Sequence, residues 1–187
     1  GVPFVDYYAT TRIAWRDDPA SIVRDVEAQF DYPVFVKPAN MGSSVGVSKA
    51  HNHDELIKAL NLAARYDRRL LVERAINARE IECSVLGNES PEVSVLGEIV
   101  PCNEFYDYAA KYLDGDSALI IPAELPQDLT EQVRAWAAQA FVAMDCAGLA
   151  RVDFLVSKDD SSVYLNELNT MPGFTPISMY PKLWEAG

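Results

Sequence analysis

Apolar and polar positions along this chain alternate between a helical period and a strand period. Ile22, Val23, Val26 and Phe30 recur at helical spacing behind Asp18-Pro19, which reads as an N-cap followed by proline at the first helical position. That helix ends near Asp31-Tyr32-Pro33, and Val34-Phe35-Val36-Lys37 is a short strand stopped by Pro38. Residues 38–46 form a Gly/Ser loop, and Gly46-Val47-Ser48-Lys49 is a candidate second strand. Asn52 with Glu55 resembles a capping box that opens a helix with Leu56, Ile57, Leu60 and Ala64 on its inner side. Leu70-Leu71-Val72-Glu73 is a further strand.

From Arg79 to Val100 two β-rich runs flank the polar stretch Gly87-Asn88-Glu89-Ser90-Pro91 and read as an antiparallel pair. Residues 101–122 are tyrosine-rich and weakly periodic, which predicts a long loop of the kind that is either functional or disordered. A helix follows from Thr130 to Asp145, with Val133, Trp136, Ala137, Ala140, Phe141 and Met144 on its apolar stripe. Two strands, 149–157 and 163–169, then flank a turn at Ser157 to Ser162. Interleaved strands and helices with much antiparallel pairing predict an α+β class.

The length of 187 residues suffices for one large domain or two lobes with a buried core. The formal charge of −12, from 28 acidic and 16 basic residues, argues against a partner held through phosphate-backbone charge, so no nucleic acid is expected. Three scattered cysteines imply no disulfide framework and point to a reducing cytoplasm. No apolar run approaches the roughly 20 residues of a membrane span, so no membrane is expected either. The chain opens with Gly1-Val2-Pro3-Phe4-Val5 rather than Met, which reads as the middle of a longer protein.

The turn at Ser157 to Ser162 carries the most specific chemistry. Centring it on Asp160 sets Asp153 opposite Glu167 and Arg151 opposite Asn169, with Val152, Phe154, Val156, Tyr164 and Leu168 on the core face. Opposed like charges repel at the Cβ separations of about 4.5–5.5 Å found in such pairs. Two carboxylates and an amide oxygen are hard ligands of the kind Mg²⁺ takes. The plainer reading is a solvated face on which Arg151 neutralises the acids. Earlier in the chain, residues 40–47 (Asn-Met-Gly-Ser-Ser-Val-Gly-Val) follow a strand ending in Lys37. Glycine allows close backbone approach to an anion, serine adds hydroxyl donors and Lys37 adds a point charge. The Walker A order is absent, and alone the segment reads equally as an ordinary turn.

Lys37-Pro38 with the Gly/Ser loop, Glu73 through Glu80, Phe105-Tyr106-Asp107-Tyr108 with Lys111-Tyr112, Ala150-Arg151-Val152-Asp153, and Asn166-Glu167-Leu168-Asn169 with Pro172-Gly173 occur in that order. In this ordered set the chain resembles the ATP-grasp part of the D-alanine:D-alanine ligases. The resemblance implies an ATP-grasp fold: two α+β subdomains with largely antiparallel sheets enclosing the nucleotide. Residues 1–75 would be the small subdomain with the phosphate loop. Residues 76–187 would be the C-terminal subdomain, with the metal site and a lid at 101–122. The family's N-terminal domain, with most of the first D-alanine site, would be absent.

By the same resemblance Lys37, Ser43 and Ser44 meet the ATP phosphates, and Glu73, Arg74, Ala75 and Ile76 form the adenine hinge. Glu80 holds the ribose, Asn166 also lies at the nucleotide, and Lys111 is a second phosphate-contacting lysine. Asp153, Glu167 and Asn169 match ligands of two Mg²⁺ ions, with Mn²⁺ an alternative. Arg151 matches the arginine that steadies the transition state, and Ser44, Lys111 and Tyr112 also fall in the catalytic set. Tyr112, Arg151, Gly173, Ser178 and Met179 fall at the second substrate, where a tyrosine accompanies D-alanine and a histidine D-lactate. Arg74 departs from the family's usual lysine. The implied activity is ATP-dependent formation of D-alanyl-D-alanine through an acyl phosphate, for peptidoglycan precursors, by a cytoplasmic protein that is a homodimer at full length.

Other readings stay open: a D-alanine:D-lactate or D-alanine:D-serine ligase, another ATP-grasp carboxylate–amine ligase, or an ATP-binding fragment without turnover. Cys83 alternates with Ile81 and Val85 and reads as a small core residue, and His51 and His53 as solvent-facing positions before a helix.

Overall fold

The computed structural model describes residues 1–100 and 118–187. Its elements are β1 (Tyr7–Thr11), α1 (Arg12–Asp17), α2 (Pro19–Gln29), β2 (Val34–Pro38), β3 (Ser48–Ala50), α3 (His53–Tyr66), β4 (Arg69–Arg74), β5 (Ala78–Gly87), β6 (Glu92–Val100), β7 (Ala118–Ile120), α4 (Gln127–Ala143), β8 (Gly148–Ser157), β9 (Val163–Asn169) and α5 (Met179–Glu185). By internal contacts the described chain falls into two units. One is Val5–Ala75; the other combines Gly1–Phe4, Ile76–Val100 and Ala118–Gly187.

The first unit is a four-stranded antiparallel sheet in the order β1-β4-β2-β3. Val34 and Val36 on β2 and Leu70 and Val72 on β4 share one fully buried face, under Ile22, Val23 and Val26 of α2 and Leu56, Ala59, Leu60 and Ala63 of α3. Local chemistry starts both helices where expected. Asp18 accepts from the Ser21 N–H ahead of Pro19, and Asn52 accepts from the Glu55 N–H. The second half of the capping box lies one residue earlier, since Glu55 accepts from the His51 N–H at 2.8 Å. Sheet alternation leaves Phe35, Lys37 and Glu73 on the face away from α2 and α3.

The second unit is a five-stranded antiparallel sheet in the order β7-β6-β5-β8-β9. Ile81, Cys83, Val85, Leu96, Ala150, Val152, Phe154 and Val156 form its core with Val133, Ala137 and Phe141 of α4. Residues 1–4, expected with the first subdomain, belong here instead. The Leu165 N–H donates to the Pro3 carbonyl at 2.8 Å, and Val2 packs on this core. On the other face α5 packs over β5 and β6 because position 97 is glycine. A Cβ there would stand 2.5 Å from Met179 Cε and 2.7 Å from Leu183 Cδ2.

Several elements differ from expectation. β1, α1 and α5 were not foreseen, and β7 lies inside the stretch read as loop. Helix α4 begins at Gln127 rather than Thr130: the Thr130 N–H donates to the Pro126 carbonyl at 2.9 Å, so Pro126 already caps the first turn. In the β8–β9 hairpin, Asp153 pairs with Glu167 and Arg151 with Asn169 as expected, but Phe154 pairs with Leu165. Asn166 is the extra residue of a β-bulge, which shifts the far half by one. Val163 and Leu165 therefore join the core and Tyr164 does not, contrary to the simple alternation.

Candidate functional site

In the first unit, Lys37 Nζ lies 2.8 Å from Glu73 Oε1, with both side chains largely buried. Lys49 Nζ stands 6.0 Å from the Phe35 ring centre on the same side, since Phe35 pairs with Lys49. The Gly/Ser segment is a tight double turn, with Val45 N–H donating to the Gly42 carbonyl and Val47 N–H to the Ser44 carbonyl. Ser43 and Ser44 take φ of 53° and 56°, a left-handed conformation that disfavours side chains by about 1–2 kcal/mol each. Such local strain is stored characteristically at ligand clamps. Gly46, at φ 77°, favours glycine, since a side chain there would be strained and its Cβ, 2.6 Å from Tyr66 Cδ2, would push that ring aside.

Asp67 ties this turn down. Its Oδ2 accepts from both the backbone and side-chain N–H groups of Asn40 at 2.8 Å, and its Oδ1 accepts from the Arg68 and Arg69 N–H groups. Partial burial works against its ionised form, but these donors prevail and hold the carboxyl below its ordinary value. Of the expected hinge, the Arg74 guanidinium lies 3.9 Å from Asp6 Oδ2, and the Ala75 N–H donates to the Pro33 carbonyl at 3.2 Å. Arg74 and Ala75 line a small cavity of about 390 Å³ with Phe30 and Tyr32. Ile76 opens the second unit. A larger, mainly apolar cavity of about 930 Å³ lies among α1, α2 and α3 and includes none of the expected site residues.

In the second unit, register places Gly97, Glu82, Asp153 and Glu167 in one row across β6, β5, β8 and β9. Ser84, Arg151 and Asn169 form the next row. Arg151 donates from Nε to Asp153 Oδ1 at 2.8 Å and from Nη2 to Asp153 Oδ2 at 2.7 Å. Its Nε is also 3.1 Å from Glu82 Oε2, and its Nη2 is 3.9 Å from Glu167 Oε1. Burial alone would weaken the guanidinium's hold on its proton, but Asp153, Glu82 and Glu167 outweigh it and raise its affinity further. Three carboxylates thus converge on this one guanidinium.

Asn169 Oδ1 accepts from the Met171 N–H at 3.1 Å. Among the described residues no group of three or more His, Cys, Asp or Glu side chains is arranged to hold a metal ion. The donor types of Asp153, Glu167 and Asn169 nonetheless suit Mg²⁺, which binds through one or two carboxylates and completes its shell with water and substrate oxygens. Glu80 lies two residues from Glu82 on the same strand face, and Asn166 is the exposed bulge residue. Ser178 Oγ accepts from the Thr175 N–H at 3.0 Å and lies 2.7 Å from where a Gly173 Cβ would stand. Met179, expected at the substrate, is buried at the start of α5 over Gly97, so its side chain serves packing here. Lys111 and Tyr112, and residues 101–117 of the expected lid, lie outside the described residues.

Glu82 joins the site unexpectedly. The alternation Glu80-Ile81-Glu82-Cys83 put it on the polar face, but that β5 lies beside β8 is a long-range fact of topology. Cys83 is a core residue as read: burial pushes its thiol up to about 12, which rules it out as a nucleophile at neutral pH.

The two antiparallel α+β units place the chain in the ATP-grasp class. Its sequence matches the family model described as D-ala D-ala ligase C-terminus over residues 1–187, and the chain belongs to that family. It is 58% identical to the D-alanine--D-alanine ligase of Acetivibrio thermocellus, over 99% of this chain and 49% of that protein. It is 55% identical to the D-alanine--D-alanine ligase of Chloroherpeton thalassium, over 98% of this chain and 50% of the other. The chain thus spans about half the length of the curated relatives it matches. Among solved structures it is similar to the VanG D-Ala:D-Ser ligase from Enterococcus faecalis, with TM-score 0.86, 31% identity, and coverage of 100% of this chain and 53% of that one. It is also similar to the D-alanine-D-alanine ligase from Coxiella burnetii, with TM-score 0.82, 38% identity, and coverage of 100% and 48%. No helix among the described residues is long and apolar enough to cross a membrane.

Proposed function

We propose that this chain is the ATP- and metal-binding half of a ligase that joins two D-alanines into D-alanyl-D-alanine for peptidoglycan precursors in the cytoplasm. The observation that carries the reading is the row of Glu82, Asp153 and Glu167 around Arg151, in a chain of this family. Amide formation from a carboxylate needs activation, and transfer of the ATP γ-phosphoryl group to the first D-alanine makes an acyl phosphate. The amine of the second D-alanine then attacks its carbonyl and phosphate leaves.

Most of such catalysis is positioning and charge stabilisation. Lys37, with the hydroxyls of Ser43 and Ser44, binds phosphate oxygens, an exchange in which a multiply charged anion replaces Glu73 at the ammonium. Glu73, Arg74, Ala75 and Ile76 take the adenine, Glu80 the ribose, and Asn166 adds a contact at the nucleotide. Asp153, Glu167 and Asn169 would hold Mg²⁺, or Mn²⁺ in its place, which when bound offsets phosphate charge. Arg151 steadies the tetrahedral oxyanion. Gly173 and Ser178 shape the second substrate's place, and Lys111 and Tyr112 complete the set from the segment that also excludes water. At full length the protein would act as a homodimer.

Full-length protein given D-alanine, ATP and Mg²⁺ is expected to release phosphate and dipeptide together. Absence of D-alanine-dependent phosphate release would reject the reading. The similarity to a D-Ala:D-Ser ligase makes D-serine the second arm of that assay, and D-lactate the third. Calorimetry of the 187-residue chain with ATP and Mg²⁺, beside a turnover assay, tests whether this half binds nucleotide without catalysing.

A further inference from the structure

Glu82 occupies a costly position. It sits on β5, flanked by paired strands on both sides, with Gly97 as its neighbour on β6 and Asp153 on β8. Only 6% of it is exposed. Part of the cover comes from α5, whose Met179 and Leu183 close over Gly97 and whose Tyr180 carbonyl accepts from Ser84 Oγ at 3.0 Å. A carboxylate that deep keeps its charge only against a well-placed cation. The cation facing it is Arg151, whose Nε stands 3.1 Å from Glu82 Oε2.

Asp153, by contrast, has two claims on it. It grips both Nε and Nη2 of Arg151, and under the proposed function its oxygens also serve Mg²⁺. Oxygens shared with a dication bind a guanidinium less strongly. Glu82, lying on the other side of Asp153 from Glu167, is not among those expected ligands.

We infer that Glu82 is the positioning residue for Arg151, keeping the guanidinium aimed when Asp153 turns its charge to a metal. Its catalytic consequence rests on the ligase reading; the Glu82–Arg151 pairing itself does not. The pairing also explains why a carboxylate occupies a row that α5 shields from water, where a neutral residue would be cheaper to bury.

The test uses full-length protein with ¹⁵N-labelled arginine, carrying Glu82→Gln or Glu82→Asp, and Arg151→Lys alone and combined with Glu82→Gln. E82Q is expected to shift the Arg151 Nε–H resonance and speed its exchange with water. It should lower kcat about 10- to 100-fold with KM for ATP within about 2-fold, the range typical of lost outer-shell partners. E82D, which keeps the charge, is expected to recover most of kcat. In the R151K background E82Q should add less than about 3-fold, since the two act as one unit. An unchanged Nε–H signal in E82Q, or a kcat loss that persists in full with R151K, overturns the inference. If the parent protein shows no D-alanine-dependent phosphate release, the ligase reading fails, and the Nε–H signal still decides the pairing. Should E82Q not fold, E82D decides through the resonance alone: an unchanged Nε–H signal, with the carboxylate drawn back by one methylene, would overturn the inference.

Discussion

The two units solve the same architectural problem and leave different electrostatic results. Each packs one sheet face against helices and carries charged residues on the other, which in the second unit α5 partly covers. On the first, Lys37 meets Glu73 at 2.8 Å. On the second, the three carboxylates of Glu82, Asp153 and Glu167 converge on the Arg151 guanidinium. Giving Lys37 up to a stronger anion leaves a single largely buried carboxylate, Glu73, to find new partners. Three carboxylates gathered on one guanidinium repel one another, and a further cation among them is favoured.

The largest effect should come from breaking the second unit's cluster. Arg151→Ala is expected to lower kcat of the full-length protein about 10²–10³-fold, the typical loss of one electrostatic contact to a developing oxyanion. It also strands Asp153 and Glu82, both buried, so unfolding free energy should fall by about 3 kcal/mol in urea titration. A variant that keeps its stability would mean that the row does not depend on this guanidinium.

The first unit should respond differently. Lys37→Ala removes a charged hydrogen-bond donor worth about 1.5–3 kcal/mol to a phosphate, so ATP affinity by calorimetry should weaken roughly 10- to 100-fold. Stability should fall by less than in Arg151→Ala, because one largely buried carboxylate, Glu73, is stranded rather than two. An equal loss of stability in both variants would erase the contrast. Below these stands Gly97→Val, which forces Met179 and Leu183 off β6. Overpacking of this kind costs about 1–3 kcal/mol, read in urea, and should expose the acidic row without touching Lys37.

Why one side was more legible than the other follows from the range of the interactions. Asp18-Pro19 and Asn52 with Glu55 announce α2 and α3 because capping is completed within four residues. The hairpin gave Asp153 its partner Glu167 because the turn is short and the apolar face fixes alternation. The bulge at Asn166 was also written in the sequence, as the step from Val163 and Leu165 to Leu168, a spacing of two followed by three. Glu82 was not legible as a partner of Arg151, since β5 meets β8 across a long stretch of chain. Nor was the Lys37–Glu73 pair, which requires β2 to lie beside β4 with α3 between them in sequence. Helix α5 has a short, partly aromatic pattern, and its place depends on the room that Gly97 leaves.

The smallest effect concerns how the first unit holds its turn. Asp67 accepts four N–H donors from Asn40, Arg68 and Arg69, and they hold its carboxyl below the ordinary value. A lowered value in the folded state means that the ionised form favours folding. That contribution is complete above the unfolded-state value of about 3.9 and disappears as pH falls through the lower folded-state value. Asp67→Asn, which cannot ionise, is therefore expected to be less stable than the parent at pH 7 by about 1 kcal/mol. The gap should narrow below about pH 4, as the parent's carboxyl takes up its proton. Because Asn40 begins the Gly/Ser segment, the same variant should weaken ATP binding less than Lys37→Ala does. It loosens the phosphate turn while leaving the ammonium in place. A gap that stays constant from pH 7 to pH 3 would show that Asp67 acts through shape alone, and that the charge balance of the first unit resides in Lys37 and Glu73.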